Sequence, residues 1–304
     1  MGHAQPELSI DAAKQHPEHT RWVKYRLRDV VVYQSPAGHC FTDLRDDADD
    51  IGPEVDETAL TPGMVRYIRD WLSSNRQRVG AHVALAAQHV ALEGARVLDV
   101  GCGSGLFLAE LEQRGAVVEG AELIDSNVLY ARRNHGLTVH KRPLSSPFWN
   151  ERHGAYDLVT LWDVVEHLDF PARNLREAAA LLKPGGYLLL DTPCRDGVFH
   201  RIGELTYTLS HGRYPTLLDL MYGSGAFGHK QILAMHELRE LLEQAGLEVI
   251  SLEPLHDLAM PIESYLFKIL GNMQASKLLA APVRTLMQSA KPWNKARAVA
   301  RKLR

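Results

Sequence analysis

Asp163, Glu166 and His167 are three side chains that can move a proton or hold a cation, and they cluster in Leu161-Trp-Asp-Val-Val-Glu-His167. If the turn after Leu161 is helical, their i, i+3, i+4 spacing puts all three on one face. Two carboxylates and an imidazole are costly to leave unpaired beside a cleft. Either they hydrogen-bond to one another and to the backbone, or a divalent cation holds them. Without a metal, His167 is the natural general base for an acceptor that must lose a proton, with Glu166 and Asp163 as its partners. His229, in Gly228-His-Lys230, is a further donor downstream.

A second constellation lies upstream. Asp99-Val-Gly-Cys-Gly-Ser-Gly105 places glycines at 101, 103 and 105 between a short apolar run and the amphipathic segment from Leu106. Strand, glycine turn and helix start form a site where backbone approaches a ligand without a Cβ in the way. The N–H groups opening the helix suit an anionic or carboxylate group. Leu106 stands where a dinucleotide fingerprint needs a small residue, and no Gly-Lys-Ser/Thr follows, so both phosphate-cradling patterns fail. Glu122 ends Val117-Val-Glu-Gly-Ala-Glu122 about twenty residues past the turn, where an acid can accept hydrogen bonds from both hydroxyls of a ribose.

These groups must be positioned by strands and helices. From Gly94 the signals alternate, with strands expected at 95–100, 116–121, 137–140, 157–161, 186–191 and 247–253. Helices are expected at about 105–114, 126–135, 172–183 and 236–246. The pattern predicts a doubly wound, mostly parallel α/β sheet with its ligand at the carboxyl ends of the strands. Lys24–Tyr33 and His39–Leu44 read as a hairpin around Ser35-Pro-Ala-Gly38. Residues 61–92 read as two helices broken near Gly80. The expected domains are a cap over 1–92, a central domain over 93–256 with a lid insertion at 194–228, and a basic helical tail over 257–304. Aromatic and basic residues of the insertion (Arg195, His200, Arg201, Tyr207, His211, Arg213, Tyr214, Tyr222) are candidates for acceptor contacts.

The ordered set of Asp99–Gly105, Glu122, Tyr156-Asp-Leu-Val-Thr-Leu-Trp-Asp163 with Glu166-His167, and Leu181-Leu-Lys-Pro-Gly-Gly-Tyr-Leu-Leu-Leu-Asp191 resembles class I S-adenosylmethionine-dependent methyltransferases. The quinone-biosynthesis and small-RNA O-methyltransferase branch is the nearest in pattern, over about residues 94–253. The resemblance implies S-adenosylmethionine as cofactor, cradled by Asp99, Gly101, Cys102, Gly103, Gly105, Glu122, Leu123, Leu144, Trp162 and Asp163. Many relatives carry an acid in the Lys141–Ser145 segment. This chain has none, which shifts adenine recognition to backbone near Pro143 and Leu144. Some relatives bind Mg²⁺ or a related ion through a Glu-x-x-Glu-His block and a later His, which carries over as Asp163, Glu166, His167 and His229. Position 163 is Asp here, a shorter reach. The implied activity is O-methylation of a hydroxyl on a small molecule, lipid or glycan precursor. The alternatives are a noncatalytic cofactor-binding scaffold and a nicotinamide enzyme, which Leu106 argues against.

Composition adds bounds. The 304 residues are 45% hydrophobic and 23% charged, the profile of a globular protein. Cys40, Cys102 and Cys194 are too widely spaced for a disulfide or metal pattern, which points to a reducing, cytoplasmic setting. The four acids Asp46, Asp47, Asp49 and Asp50 are read as a solvated loop, with cation binding as the alternative. From residue 264 onward there are nine bases and no acid, whereas the rest of the chain carries −12 of a net −3. This basic, apolar stretch is read as a docked helix with a solvated face, with peripheral contact to an anionic membrane as the alternative; nucleic acid is an unlikely partner.

Overall fold

The computed structural model describes residues 10–15, 21–223, 228–258 and 261–303. Of residues 1–20, the first part of the expected cap, only the short helix α1 (Ile10–Gln15) is described. The chain forms two compact units, residues 45–191, 239–251 and 298–304 in one, and residues 1–44, 192–238 and 252–297 in the other.

The larger unit opens with α2 (Pro62–His89). Thr61 caps it by accepting the Met64 N–H at 3.2 Å, and Pro62 takes the first position, where its missing donor costs nothing. The expected break at Gly80 is absent. Ile68, Leu72, Val79, Val83 and Ala86 keep one buried seam running past it, and this packing outweighs one glycine's poor helix propensity. Next come β4 (Arg96–Val100), α3 (Leu106–Glu112), β5 (Val117–Ala121), α4 (Asp125–His135), β6 (Val139–His140), β7 (Tyr156–Trp162), α5 (Pro171–Leu181) and β8 (Leu182–Pro193). After the insertion follow α8 (Met235–Gln244) and β9 (Leu247–Leu255), and finally β10 (Lys295–Lys302).

The seven strands are ordered β6-β5-β4-β7-β8-β10-β9. The pairs β4–β5, β5–β6, β4–β7 and β7–β8 are parallel. Val97, Leu98, Leu158, Val159, Leu161 and Leu188–Leu190 are fully buried, as strands covered on both faces must be. Successive strands are added outward on one side from β4 to β6 and on the other from β7 to β8, so the crevice at the carboxyl ends of β4 and β7 is the topological switch point.

The tail departs from expectation. It is helical over α9 (Ile262–Leu270) and α10 (Met273–Ala290), but Lys295–Lys302 is a strand inside the sheet. Lys295, Ala296, Ala298, Val299 and Ala300 are all buried, the strand being covered on both faces. An alanine-rich composition interleaved with Lys and Arg reads as helical, which hid the strand.

In the smaller unit, Lys24–Tyr33 is two strands rather than one. β1 (Trp22–Arg26) and β2 (Val31–Gln34) are joined by a turn in which Leu27 N–H donates to Val30 C=O at 3.0 Å, and β3 (Cys40–Thr42) completes an antiparallel meander. The insertion is not an open loop: it carries α6 (Val198–Leu209) and α7 (Thr216–Asp219), and Leu218, Tyr222 and Ile232 share a core with Tyr25, Val30, Val32 and Cys40. Residues 224–227 of it lie outside the described set.

Candidate active site

The glycine turn after β4 is held by its neighbours. Asp99 is buried at the strand end and accepts the Thr160 hydroxyl from β7 at 2.6 Å. Burial pushes its pKa up to about 7, helped by the nearby charge of Glu122 and opposed by the Thr160 hydrogen bond. Gly101 and Cys102 N–H groups donate to the Ala121 carbonyl at 2.8 and 3.1 Å, tying the turn to the end of β5. The buried Cys102 thiol is pushed well above its ordinary pKa, first by burial and then by Glu122 and Asp99.

The turn's glycines differ in role. Gly105 has φ +86, and a Cβ there would stand 2.5 Å from Leu137 Cδ1 and 3.0 Å from Ala131 Cβ, so this glycine lets the α3 start pack on α4. Gly103 has φ +54 and nothing within 4 Å of a Cβ position. Its exposed backbone face is open to a ligand.

Glu122 lies against that face. Its Oε2 accepts the Gly103 N–H at 2.8 Å, and its Oε1 accepts the Leu123 and Ile124 N–H groups at 2.7 and 2.9 Å. Burial holds its pKa above the ordinary glutamate value although all three backbone donors favour the anion. A carboxylate fixed this rigidly at a strand end is a preformed acceptor for paired hydroxyls. Leu123 is half-buried and Ile124 partly exposed beside it. Leu144 is buried, and the Pro143 carbonyl already accepts Trp149 Nε1–H at 2.9 Å and the Ser146 N–H at 3.1 Å. The Pro143 oxygen thus already accepts two hydrogen bonds within this turn.

The segment after β7 also departs from expectation. Asp163 has φ +53, a left-handed conformation rare for a residue with a side chain, and the turn that follows is a 3₁₀ turn over Val165–His167. The three groups thus do not share one face of an α-helix. Glu166 is buried and His167 partly exposed, with Glu166 Oε1 4.0 Å from His167 Nε2. Asp163 instead pairs with Arg78 from α2. That pairing engages its Oδ2 with the Arg78 guanidinium. His229 belongs to the smaller unit.

Arg78 anchors a cluster that sequence reasoning missed. Asp191, at the end of β8 and fully buried, lies 3.6 Å from Arg78 and 2.8 Å from His82 Nε2. The Asp163 N–H donates to the Asp191 carbonyl at 3.0 Å. The His82 ring stacks on Trp162 at 3.9 Å and 4°, and Phe107 meets the same indole edge-on at 5.6 Å. One turn of α2 therefore fixes the ends of two strands. The sequence held one hint: Asp191, like Asp99 and Asp163, ends an apolar strand run.

The insertion's candidates divide. Arg195 pairs with Glu237, His200 is buried 3.5 Å from the Tyr222 hydroxyl, and Tyr207 packs edge-on to Tyr25. Burial lowers the His200 pKa to about 4. Arg201, His211, Arg213 and Tyr214 are exposed. In the acidic loop, Asp49 is held by Arg173 at 2.7 Å.

Residues 66–252 match the family model described as a methyltransferase domain. The chain belongs to the S-adenosylmethionine-dependent methyltransferases. Among curated proteins, the methyltransferase is 30% identical over 193 residues to a Bordetella avium ubiquinone biosynthesis O-methyltransferase, covering 62% of this chain and 76% of that one. A Coxiella burnetii protein of the same name is 29% identical over 173 residues, covering 56% and 70%. Among solved structures, the methyltransferase in a Haloferax volcanii complex with the Trm112 activator aligns with a TM-score of 0.53 at 18% identity, over 77% of this chain and 92% of that one. A SAM-dependent methyltransferase from Archaeoglobus fulgidus aligns at 0.50 and 16%, over 78% and 100%. These structures support the fold of this methyltransferase, and the curated relatives its family.

Proposed function

We propose that the protein methylates a hydroxyl oxygen of a small phenolic, lipid-linked or glycan-linked acceptor. The observation that carries this reading is the likeness to relatives named O-methyltransferases, together with a methyltransferase-domain match over residues 66–252 that includes the glycine turn, Glu122 and the Glu166-His167 pair. Glu122 would hold the ribose of S-adenosylmethionine, with the turn from Asp99 to Gly105 around it and Leu123, Leu144 and Trp162 beside it. Methyl transfer is an in-line displacement at the sulfonium carbon: the acceptor oxygen forms the new C–O bond as the S–CH₃ bond breaks, leaving S-adenosylhomocysteine. The hydroxyl proton must go elsewhere. His167 is the group proposed to take it, with the Glu166 carboxylate stabilising the imidazolium that forms.

In a metal-assisted version of this reading, Glu166 and His167 would supply one oxygen and one nitrogen donor to a divalent ion. Such an ion would lower the pKa of a coordinated hydroxyl.

The test is transfer of labelled methyl from S-adenosylmethionine into fractionated cell extract, with and without chelator. Label in an alkali-stable ether of a small molecule, lipid or glycan is the expected result, and label confined to amines or carbon would overturn O-methylation. Chelator-resistant turnover would assign the proton to His167 alone. Glu166→Gln is expected to lower turnover while leaving cofactor affinity unchanged. A scaffold protein would show cofactor binding and no turnover to lose.

A further inference from the structure

Trp162 and Asp191 are register partners at the carboxyl ends of β7 and β8, so their side chains leave the same face of the sheet side by side. His82 of α2 lies over both. Its ring is parallel to the Trp162 indole at 3.9 Å and 4°, and its Nε2 is 2.8 Å from Asp191 Oδ2. A carboxylate only accepts, so Nε2 carries the hydrogen, and the ring is fixed in rotation as well as in position. Phe107, two residues past Gly105, meets the indole edge-on at 5.6 Å. Trp162 thus has one face under an imidazole and an edge against the start of α3.

A buried ionisable pair is a costly way to fill space. Asp191 is fully buried and His82 nearly so, and a carboxylate taken out of water destabilises the fold unless cations and donors face it. His82 and Arg78, the latter 3.6 Å from Asp191, both face it. An apolar residue at 191 and a phenylalanine at 82 would fill similar volume without that cost. What the pair adds is orientation, because it stops the ring that covers Trp162 from turning. The indole stands where orientation matters. The turn that follows it packs on the glycine turn: a Cβ at Gly101 would come within 2.6 Å of Val164 Cγ2. Trp162 itself is only partly buried, so it keeps surface for a ligand beside that turn.

We propose that His82 and Asp191 are positioning residues for S-adenosylmethionine, clamping the Trp162 indole as a preformed wall of the cofactor site. This rests on the reading that the cofactor lies between the glycine turn and Trp162. A wall ordered in advance removes the loss of one side chain's freedom from the binding step, an effect of about 2–10-fold in affinity.

The test compares calorimetric S-adenosylmethionine affinity with the emission of Trp162, taken for each protein as the difference from the same protein carrying Trp162→Phe. In the parent, the anisotropy of Trp162 is expected to be high without cofactor, and its emission to shift when cofactor is added. His82→Gln can still donate to Asp191 but offers no ring. It should lower the anisotropy and weaken affinity about 2–10-fold, with the loss in KM rather than kcat. Asp191→Ala should do the same, because nothing then holds the imidazole against rotation. Asp191→Asn, whose amide oxygen still accepts from Nε2, should bring affinity back to within about twofold of the parent. Should Asp191→Ala fail to fold, His82→Gln and the parent's Trp162 emission decide alone. Reduced thermal stability with unchanged affinity would make the pair merely structural and overturn the proposal. So would a Trp162 emission blind to saturating cofactor. Glu122→Gln separates the pair from the site it serves. If that change weakens binding while His82→Gln does not, the cofactor site stands and the pair fails. If neither does, the site reading fails and the pair falls with it.

Discussion

Gly103 and Gly105 sit in the same turn, yet replacing each by Ala should fail differently. At Gly105 the methyl meets Leu137 and Ala131, so α3 and α4 must part, with an expected stability loss of about 1–3 kcal/mol in thermal or urea unfolding. At Gly103 the methyl meets no protein atom, and the backbone strain costs only about 1–2 kcal/mol. Its larger effect should be on calorimetric cofactor affinity. Glu122→Gln, which loses an anionic acceptor, is expected to weaken S-adenosylmethionine binding about 10–100-fold. Asp99 gives a pH signature. Its folded pKa of about 7 lies above the ordinary value of 3.8, so the folded state keeps a proton that the unfolded chain releases. Stability should therefore fall as pH rises from about 4 through 7, and Asp99→Asn should flatten that part of the profile. The proximity of Gly103 and Glu122 was legible in sequence, because a glycine turn and the next strand's end adjoin in any parallel βαβ unit. The Arg78–Asp163 pair was not. It joins α2 to a turn whose left-handed residue no spacing rule anticipates. Arg78→Met and Asp163→Asn should each lower turnover and combine less than additively in a double-mutant cycle.

At the scale of elements, α2 shows how packing overrides a local signal. Gly80 is an exposed helical position with open space around it, so Gly80→Ala should stabilise the fold by about 0.5–1 kcal/mol without touching activity. The buried seam of Ile68, Leu72, Val79, Val83 and Ala86 was present in the sequence, but the glycine suggested a break that five apolar anchors do not permit. The strands β4, β5, β7 and β8 were legible because each is a short apolar run between turn signals. β10 was not, because it is rich in alanine and bases with a single β-branched residue, Val299, a composition shared with helices.

Over the whole molecule, the units do not follow chain order. The meander at residues 22–42 and the insertion after β8 share one core, although nothing in a linear reading pairs segments so far apart. The doubly wound class itself was legible from the alternation of strands and helices. Ligand linkage provides a global check: S-adenosylmethionine at a hundred times its dissociation constant should add about 2.7 kcal/mol to unfolding of the unit that carries the glycine turn. The position of β10 bears on how the chain is made. The ribosome releases β8 and β9 well before Lys295–Lys302, yet β10 must slide between them for the sheet to become continuous. Until then the nascent chain carries an unpaired edge on β8, a template for pairing with other chains. Late synthesis thus sets a window of chaperone dependence, and nascent chains arrested before Lys295 should be cut by protease within β9 while β4–β7 resist.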